Sequence, residues 1–545
     1  MRHFLHKLAN TLLAKCLALL LATPISGDSS TFDERAAEVI QHFSGVDYTL
    51  NATPKYTFFY AEAKFYDYEV NKVTSRLAEA RAQVNAGLSN LNDKDPPFQL
   101  WRAVDCYLRY QHLYGDALKR KTQKSLLSSP HYDYHNTQNK IWMAATARYL
   151  VSELWPEETV ASGYSTSDPT GRATLLAKME SFVRTGATEH NSSTYFAMHY
   201  GPLRTLADFA KAAGASTLRL YFGGPTPSNW NSELVDAVQA ICSPYRPPKI
   251  FISIAQDRTT EYVHRETHDD VATYFYCTTY MTPEYALFSS HEEYSRWGRG
   301  GGMDQVQRWM VSFRRDSGYC TFFLLHPNST KASHLGATEY EQVLQSKNAL
   351  IGVSNIPKNN VVGHKGQNAS NHIRGWVPEN PDAKINEAST SGQIFLHYGN
   401  VMIALHLTST FNWDGFSTVF TLPPSSYAGT RAIEQLENFK SAFISNWDTR
   451  VNTTGINVPA PKLVYETLDG TRLETTYRET DKINNQTIEY TQEAWPLLSN
   501  PWIHQDFQGD KLTITYGDAT RLYDFNNWTV NETDQSAPII KTSPR

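Results

Sequence analysis

The chain predicts an α+β multidomain protein, an all-α domain of stacked helical hairpins followed by a large antiparallel β-sandwich. Three observations carry this. Seven helix-periodic segments precede residue 250 with no strand-like run between them. Beyond residue 250 the pattern changes to short runs rich in β-branched and aromatic residues. Turn signals such as Asp469-Gly470, Gln508-Gly509 and Tyr516-Gly517 punctuate that second part.

The helical segments are 34–43, 69–91, 98–118, 138–154, 173–184, 195–213 and 232–241, each amphipathic or rich in Ala and Leu. Residues three and four apart share a helix face, so each segment carries a stripe that must be buried against a neighbour. Breaks fall at Pro96-Pro97, Ser128-Ser129-Pro130, 163–171 and Gly223-Gly224-Pro225. Consecutive helices with such breaks pack as antiparallel pairs. The strands expected next are 273–280, 320–325, 393–397, 401–407 and 511–516, and the polar, Gly/Asn-rich stretch 354–392 reads as a long loop.

The domain division is 1–27 as a signal peptide, 28–250 as the helical domain and 251–545 as the sandwich. Arg2, Lys7 and Lys15 flank a short apolar core, 16–22, with small residues through Gly27. That is the pattern of a secretory signal cleaved between 22 and 27, and it is too short to span a membrane. A secreted, extracellular glycoprotein is expected, because Asn-X-Ser/Thr sequons occur at Asn51, Asn191, Asn328, Asn368, Asn452, Asn485, Asn527 and Asn531. Beyond Cys16, Cys106, Cys242, Cys277 and Cys320 allow three complete pairings. Cys277–Cys320 is favoured because both lie in strand-like runs, which leaves Cys106–Cys242. A net charge of −5 and a pI of about 6.4 argue against a nucleic-acid partner.

The stretch Glu189-His190-Asn191-Ser192-Ser193-Thr194-Tyr195 continues to His199, placing an amide, a phenol and an imidazole four residues apart. In a helix the three share one face. Breaking an acidic sugar chain by elimination needs a donor for a carboxylate, a base for a carbon-bound proton and an acid for the leaving oxygen. The competing reading is a glycan on Asn191 beside a packed helix, since Asn191-Ser192-Ser193 is itself a sequon.

A helical domain before an antiparallel sandwich resembles the polysaccharide lyases built from an (α/α) toroid and a β-sandwich, heparinase II/III-like or alginate-lyase-like. The segment from Glu189 to Tyr195 resembles the Asn-bearing active-site helix start of those toroids. Thr279-Tyr280-Met281-Thr282-Pro283-Glu284-Tyr285 resembles an early sandwich strand, and Trp495-Pro496-Leu497-Leu498 through Phe525 resembles the closing strands. The resemblance implies β-elimination at a uronic acid, with Asn191 neutralising the substrate carboxylate and Tyr195 and His199 moving protons. His135 would join from the preceding hairpin. Two departures stand out: His190 precedes the Asn rather than following it, and Pro202 interrupts the helix. Glu189, His190, Tyr134, Arg296, Trp297 and Arg299 complete the candidate substrate contacts, the last three in a loop with Gly300-Gly301-Gly302 and Arg308.

No cofactor is required by this chemistry. A structural metal ion is a candidate at His264 and His268, whose helix-like i, i+4 spacing and acidic neighbours resemble a ligand set, with His372, His397 and His406 as further donors. Neither a Gly-X-Ser-X-Gly elbow nor a dinucleotide fingerprint occurs. The partner expected is an acidic polysaccharide. Two other readings stay open: a toroid hydrolase pairing Glu189 with Asp133 or Asp208, and a non-catalytic carbohydrate-binding protein.

Overall fold

The computed structural model describes residues 31–46, 56–93, 96–133, 138–161, 168–185, 236–242 and 247–257 of the helical part. It then describes the strands named below with most of their turns. Residues 1–30, 134–137, 186–235, 293–307 and 534–545 are among those outside the described residues.

The described helices are α1 (Phe32–Gly45), α2 (Thr57–Glu69), α3 (Arg76–Ser89), α4 (Pro96–Tyr114), α5 (Asp116–Leu127), α6 (Gln138–Leu154), α7 (Arg172–Thr185), α8 (Asp236–Cys242) and α9 (Lys249–Gln256). Local chemistry sets their ends. A capping box opens α1: the Thr31 hydroxyl accepts from Glu34 N at 3.2 Å, and the Glu34 carboxylate accepts from Thr31 N at 2.6 Å. Asp168 serves α7 by accepting from Ala173 N and Thr174 N at 3.1 and 2.8 Å.

Several boundaries differ from the sequence expectation for identifiable reasons. The window 69–91 spans a turn, because α2 ends at Glu69 and α3 starts at Arg76, whose guanidinium reaches back to Asp67 at 3.2 Å. Helix α2 was missed because it is buried nearly all round, from Thr57 to Phe65, and so shows no polar stripe. Pro96-Pro97 opens α4 instead of separating helices, since first-turn N–H groups have no intrahelical partner to lose. The window 98–118 overran the helix end at Tyr114, where Gly115 takes φ +76° before α5 begins.

Aromatic rings fill the helical core. Phe65 of α2 stacks on Tyr110 and Tyr114 of α4 at centroid distances of 5.1 and 5.6 Å, and Phe59 meets Trp101 edge-on at 5.9 Å. Helix α3 approaches α2 closely at Gly87, where a Cβ would lie 2.8 Å from Phe58 Cζ.

The strands in chain order are β1 (Tyr262–Asp270), β2 (Thr273–Met281), β3 (Tyr285–Glu292), β4 (Trp309–Arg315), β5 (Gly318–Pro327), β6 (Gly336–Ala337), β7 (Glu341–Ser346) and β8 (Ala349–Asn355). They continue as β9 (Ile373–Trp376), β10 (Ala383–Asn386), β11 (Gln393–Tyr398), β12 (Val401–Leu407), β13 (Asn412–Trp413), β14 (Val419–Leu422), β15 (Ser425–Ile433) and β16 (Val451–Thr454). The last are β17 (Lys462–Glu466), β18 (Arg472–Thr476), β19 (Lys482–Ile483), β20 (Gln486–Thr487), β21 (Leu498–Ser499), β22 (Ile503–Gln505), β23 (Lys511–Tyr516), β24 (Ala519–Asp524) and β25 (Thr529–Glu532).

They form three antiparallel sheets. The largest runs β13-β14-β9-β5-β4-β3-β2-β1-β21-β22-β23-β24-β25, the second β10-β11-β12-β15-β8-β7, and the third β16-β17-β18-β19-β20. The stretch 354–392, expected as a loop, holds β9 and β10. Both are four residues long, and β9 pairs with the distant β5 and β14, so no local alternation announces it.

The second sheet is a middle layer. On β12, Val401, Ile403 and Leu405 face the largest sheet, while Met402 and Ala404 face the third. A strand covered on both sides reads as a continuous apolar run, which is how 401–407 appears in sequence. The helices cover part of the opposite face of the largest sheet, where Tyr262, Met281, Ala286, Leu512 and Ile514 join the helical core. Helix α7 docks on the closing hairpins: Gln508 N donates to Arg184 O at 2.8 Å, and the Gln505 amide donates to Val183 O at 2.8 Å.

The expected disulfides are not formed. Cys106, Cys242, Cys277 and Cys320 are all free thiols. Cys277 and Cys320 lie on β2 and β5 of one sheet with β3 and β4 between them. Three strand spacings are about 14 Å, beyond the roughly 7 Å that a disulfide tolerates between Cα atoms. They also sit on opposite faces, Cys277 beside Phe275 and Phe288, Cys320 beside the core of the middle layer. In the helices, Tyr114 donates to Cys106 Sγ at 3.2 Å and Tyr110 to Cys242 Sγ at 3.0 Å.

Candidate functional site

The residues proposed for catalysis fall where the structure gives no account. Asn191, Tyr195, His199 and His135 lie outside the described residues, as do Glu189, His190, Tyr134, Arg296, Trp297 and Arg299. Their chain neighbours are placed. The described residues on either side of the segment carrying Asn191 are α7, ending at Thr185, and α8, where Ala237 and Val238 are buried. Of the sequons, Asn485, Asn527 and Asn531 have described side chains and all three are exposed. Asn485 sits in the β19–β20 turn, where Asn484 and Asn485 take φ of +51° and +66°.

Chemistry is concentrated instead on β1 and β2. His264 and His268 were expected at helix spacing, but their segment is a strand, so residues 264, 266 and 268 share one face. That change brings Glu266, which helical geometry would turn away, between the two imidazoles. His264 Nε2 and His268 Nε2 lie 3.5 and 3.3 Å from the same carboxylate oxygen, Glu266 Oε2. Antiparallel pairing sets Cys277 of β2 directly opposite Glu266. The donor atoms of Glu266, His268 and Cys277 all lie within 4.8 Å of one another.

The cluster is closed to solvent: His264 is 1% exposed, Glu266 3%, His268 6% and Cys277 0%. Burial disfavours the Glu266 carboxylate, but the imidazoles of His268 and His264 outweigh it and hold the group below the usual carboxylate range. Burial pushes the Cys277 thiol well above its ordinary value, and the Glu266 charge adds to that. Arg308 and Ser290 oppose it; the Cys277 thiol donates to Ser290 Oγ at 3.5 Å. Arg308, read from sequence as part of a basic surface loop, is buried with its guanidinium 5.7 Å from the Phe275 ring centroid.

A fixed amide orients His264. Asn500 Oδ1 accepts from Trp502 N and Ile503 N at 2.9 Å each, so the Asn500 NH2 group is turned to His264 Nδ1 at 3.3 Å. Nδ1 is then the acceptor, and Nε2 carries the proton that faces Glu266.

Sequence reasoning missed a second buried network on the other face. His291, next to Ser290 on β3, turns toward the middle layer and lies 3.3 Å from Asp481 Oδ2. Its ring stacks on Tyr490 at 3.6 Å and 4°. Asp481 also accepts from Gln342 Nε2 at 2.7 Å, Thr475 Oγ1 at 2.6 Å and Tyr490 OH at 3.2 Å. The other expected donors do not join either group. The His397 ring contacts Gly399 O, close by on its own strand's turn, while His372 and the His406 side chain lie outside the described residues.

Among the described residues no helix is long and apolar enough to cross a membrane. No protein-family model matches the chain. A search of curated proteins likewise finds no match. Among solved structures the chain is similar to the Streptomyces coelicolor A3 chondroitin AC lyase, in complex with chondroitin sulphate. The match has 9% identity and a TM-score of 0.35, covering 93% of this chain and 92% of that one. It is also similar to a Paenibacillus xanthan lyase at 9% identity and a TM-score of 0.36, covering 94% of this chain and 66% of that one.

Proposed function

We propose that the chain is a secreted, glycosylated polysaccharide lyase whose helices form an (α/α) toroid and which cleaves a uronic-acid polysaccharide by β-elimination. The observation that carries the reading is the Asn191, Tyr195, His199 spacing in a segment strung between two helices of one core. Helix α7, which feeds that segment, ends against the closing hairpins of the largest sheet. Boundaries between such layers are where clefts form.

In this reading Asn191, helped by His135, donates to the sugar carboxylate and stabilises the charge that develops when C5 loses its proton. Tyr195 or His199 takes that proton. The freed electron pair makes the C4–C5 double bond, the C4–oxygen bond breaks, and a phenol returns a proton to the leaving oxygen. Arg296, Arg299, Trp297, Tyr134, Glu189 and His190 contact the rest of the acidic chain.

Incubation with a panel of uronic-acid polysaccharides tests this through the near-ultraviolet absorbance of the unsaturated product. The lyase reading requires that band, and its loss by roughly three orders of magnitude in Asn191→Ala with folding unchanged. Reducing ends without the band would identify the hydrolase reading with Glu189 and Asp133 or Asp208. Binding without turnover, together with a glycan on the peptide containing Asn191, would identify a carbohydrate-binding protein.

A further inference from the structure

We propose that Glu266, His268 and Cys277 bind a divalent metal ion of the zinc class, with His264 as a positioning residue behind the carboxylate. The inference stands on β1 and β2 alone and does not depend on the lyase reading.

The three donor atoms lie within 4.8 Å of one another, so small side-chain shifts bring them to the spacing of a coordination shell. Tetrahedral zinc with oxygen and nitrogen ligands near 2.0–2.1 Å sets those ligands about 3.3 Å apart. His268 Nε2 lies 3.3 Å from Glu266 Oε2, a long contact that is also the separation of two ligands on one ion. Cys277 closes the triangle from the facing strand, because Glu266 and Cys277 are register partners. One thiolate, one imidazole and one carboxylate form a mixed S/N/O set that suits zinc better than magnesium or calcium.

The charges balance. The ion enters as a dication and forms a bond to sulfur as the Cys277 S–H bond breaks and its proton passes to solvent. Thiolate and carboxylate together then neutralise the metal. Ser290 Oγ, which accepts from the thiol at 3.5 Å, can rotate its hydrogen to donate to the thiolate. His264 does not enter the coordination shell, because Asn500 occupies Nδ1 and leaves Nε2–H facing Glu266. Its role is to hold the carboxylate in place, as partners of metal ligands commonly do.

The purified full-length chain, equilibrated with zinc and desalted, is expected to retain a single equivalent by elemental analysis. Cobalt substitution is expected to produce a thiolate-to-cobalt charge-transfer band. Cys277→Ser and His268→Ala should lose both signals, and Cys320→Ser should keep both. His264→Ala should keep the cobalt spectrum but weaken affinity by about 10- to 100-fold, with His264→Asn restoring part of it. Wild-type protein that keeps no zinc, or that holds cobalt without a thiolate band, overturns the proposal without reference to any variant's folding. So does a Cys277→Ser protein that still binds a full equivalent.

Discussion

Two buried imidazole–carboxylate clusters occupy opposite faces of the largest sheet, and they differ in how their carboxylates are satisfied. Asp481 is surrounded by donors: an amide, two hydroxyls and the His291 ring converge on its two oxygens, three of them at hydrogen-bond distance. Glu266 faces two imidazole nitrogens in longer contacts, at 3.5 and 3.3 Å, and a thiol across the strand pair. The Asp481 group ties β3 to the second and third sheets, and both of its carboxylate oxygens accept hydrogen bonds from the protein. The donor atoms of Glu266, His268 and Cys277 lie within 4.8 Å of one another, and the occupant proposed for them is a cation. Burying a charge is costly in both places: the first cluster meets that cost with hydrogen bonds, the second with two imidazoles and, in the proposal, a cation.

The most direct way to break this comparison is Asp481→Ala. It strips three buried partners and the half-buried Tyr490 of their common acceptor, so a loss of about 3–5 kcal/mol in the unfolding free energy from denaturant melts is expected. That loss should be the same with and without a metal chelator. If chelation erased it, the two clusters would not be different in kind.

A second variant sharpens the contrast from the helical side. Gly87→Ala drives a methyl into the Phe58 ring and is expected to cost about 1–3 kcal/mol. Being a packing defect in another part of the molecule, it should add to the Asp481→Ala effect within experimental error.

The smallest expected effect belongs to Asp168, a carboxylate with a third kind of partner. Burial opposes its charge, but bonds from Thr174 N, Thr174 Oγ1 and Ala173 N outweigh that and hold its pKa below the ordinary value. A depressed carboxylate contributes stability above its unfolded pKa, near 4, and that contribution is lost as pH falls through the folded value. Asp168→Ala should therefore cost about 1 kcal/mol at neutral pH. The difference from wild type should vanish in acid, read from thermal melts across the carboxylate range.

How much was readable in advance depended on whether a residue's neighbours lie nearby in the chain. Helix α6 and strands β12 and β23 were delimited to the residue, at 138–154, 401–407 and 511–516. Their periodicity, or unbroken apolarity, is written in consecutive side chains. Helix α2 escaped because it is buried on almost every side, and β9 because its hydrogen-bond partners are remote. His264 and His268 stand out in the sequence as paired imidazoles at helix-like spacing, but the segment is a strand. A two-residue period would have included Glu266, but nothing local distinguishes the two periods when only two histidines are spaced. Cys277 was counted toward a disulfide because strand-like surroundings say nothing about which strand lies alongside.

Segment type, turn chemistry and the order of helices before strands follow from propensities and patterns acting over a few residues, and these could be written down from the amino acids. Which thiol faces which carboxylate, and which aspartate meets His291 across three sheets, depends on strand register and layer stacking. Those are settled by long-range burial, where many small contacts compete and no short stretch of chain holds the answer.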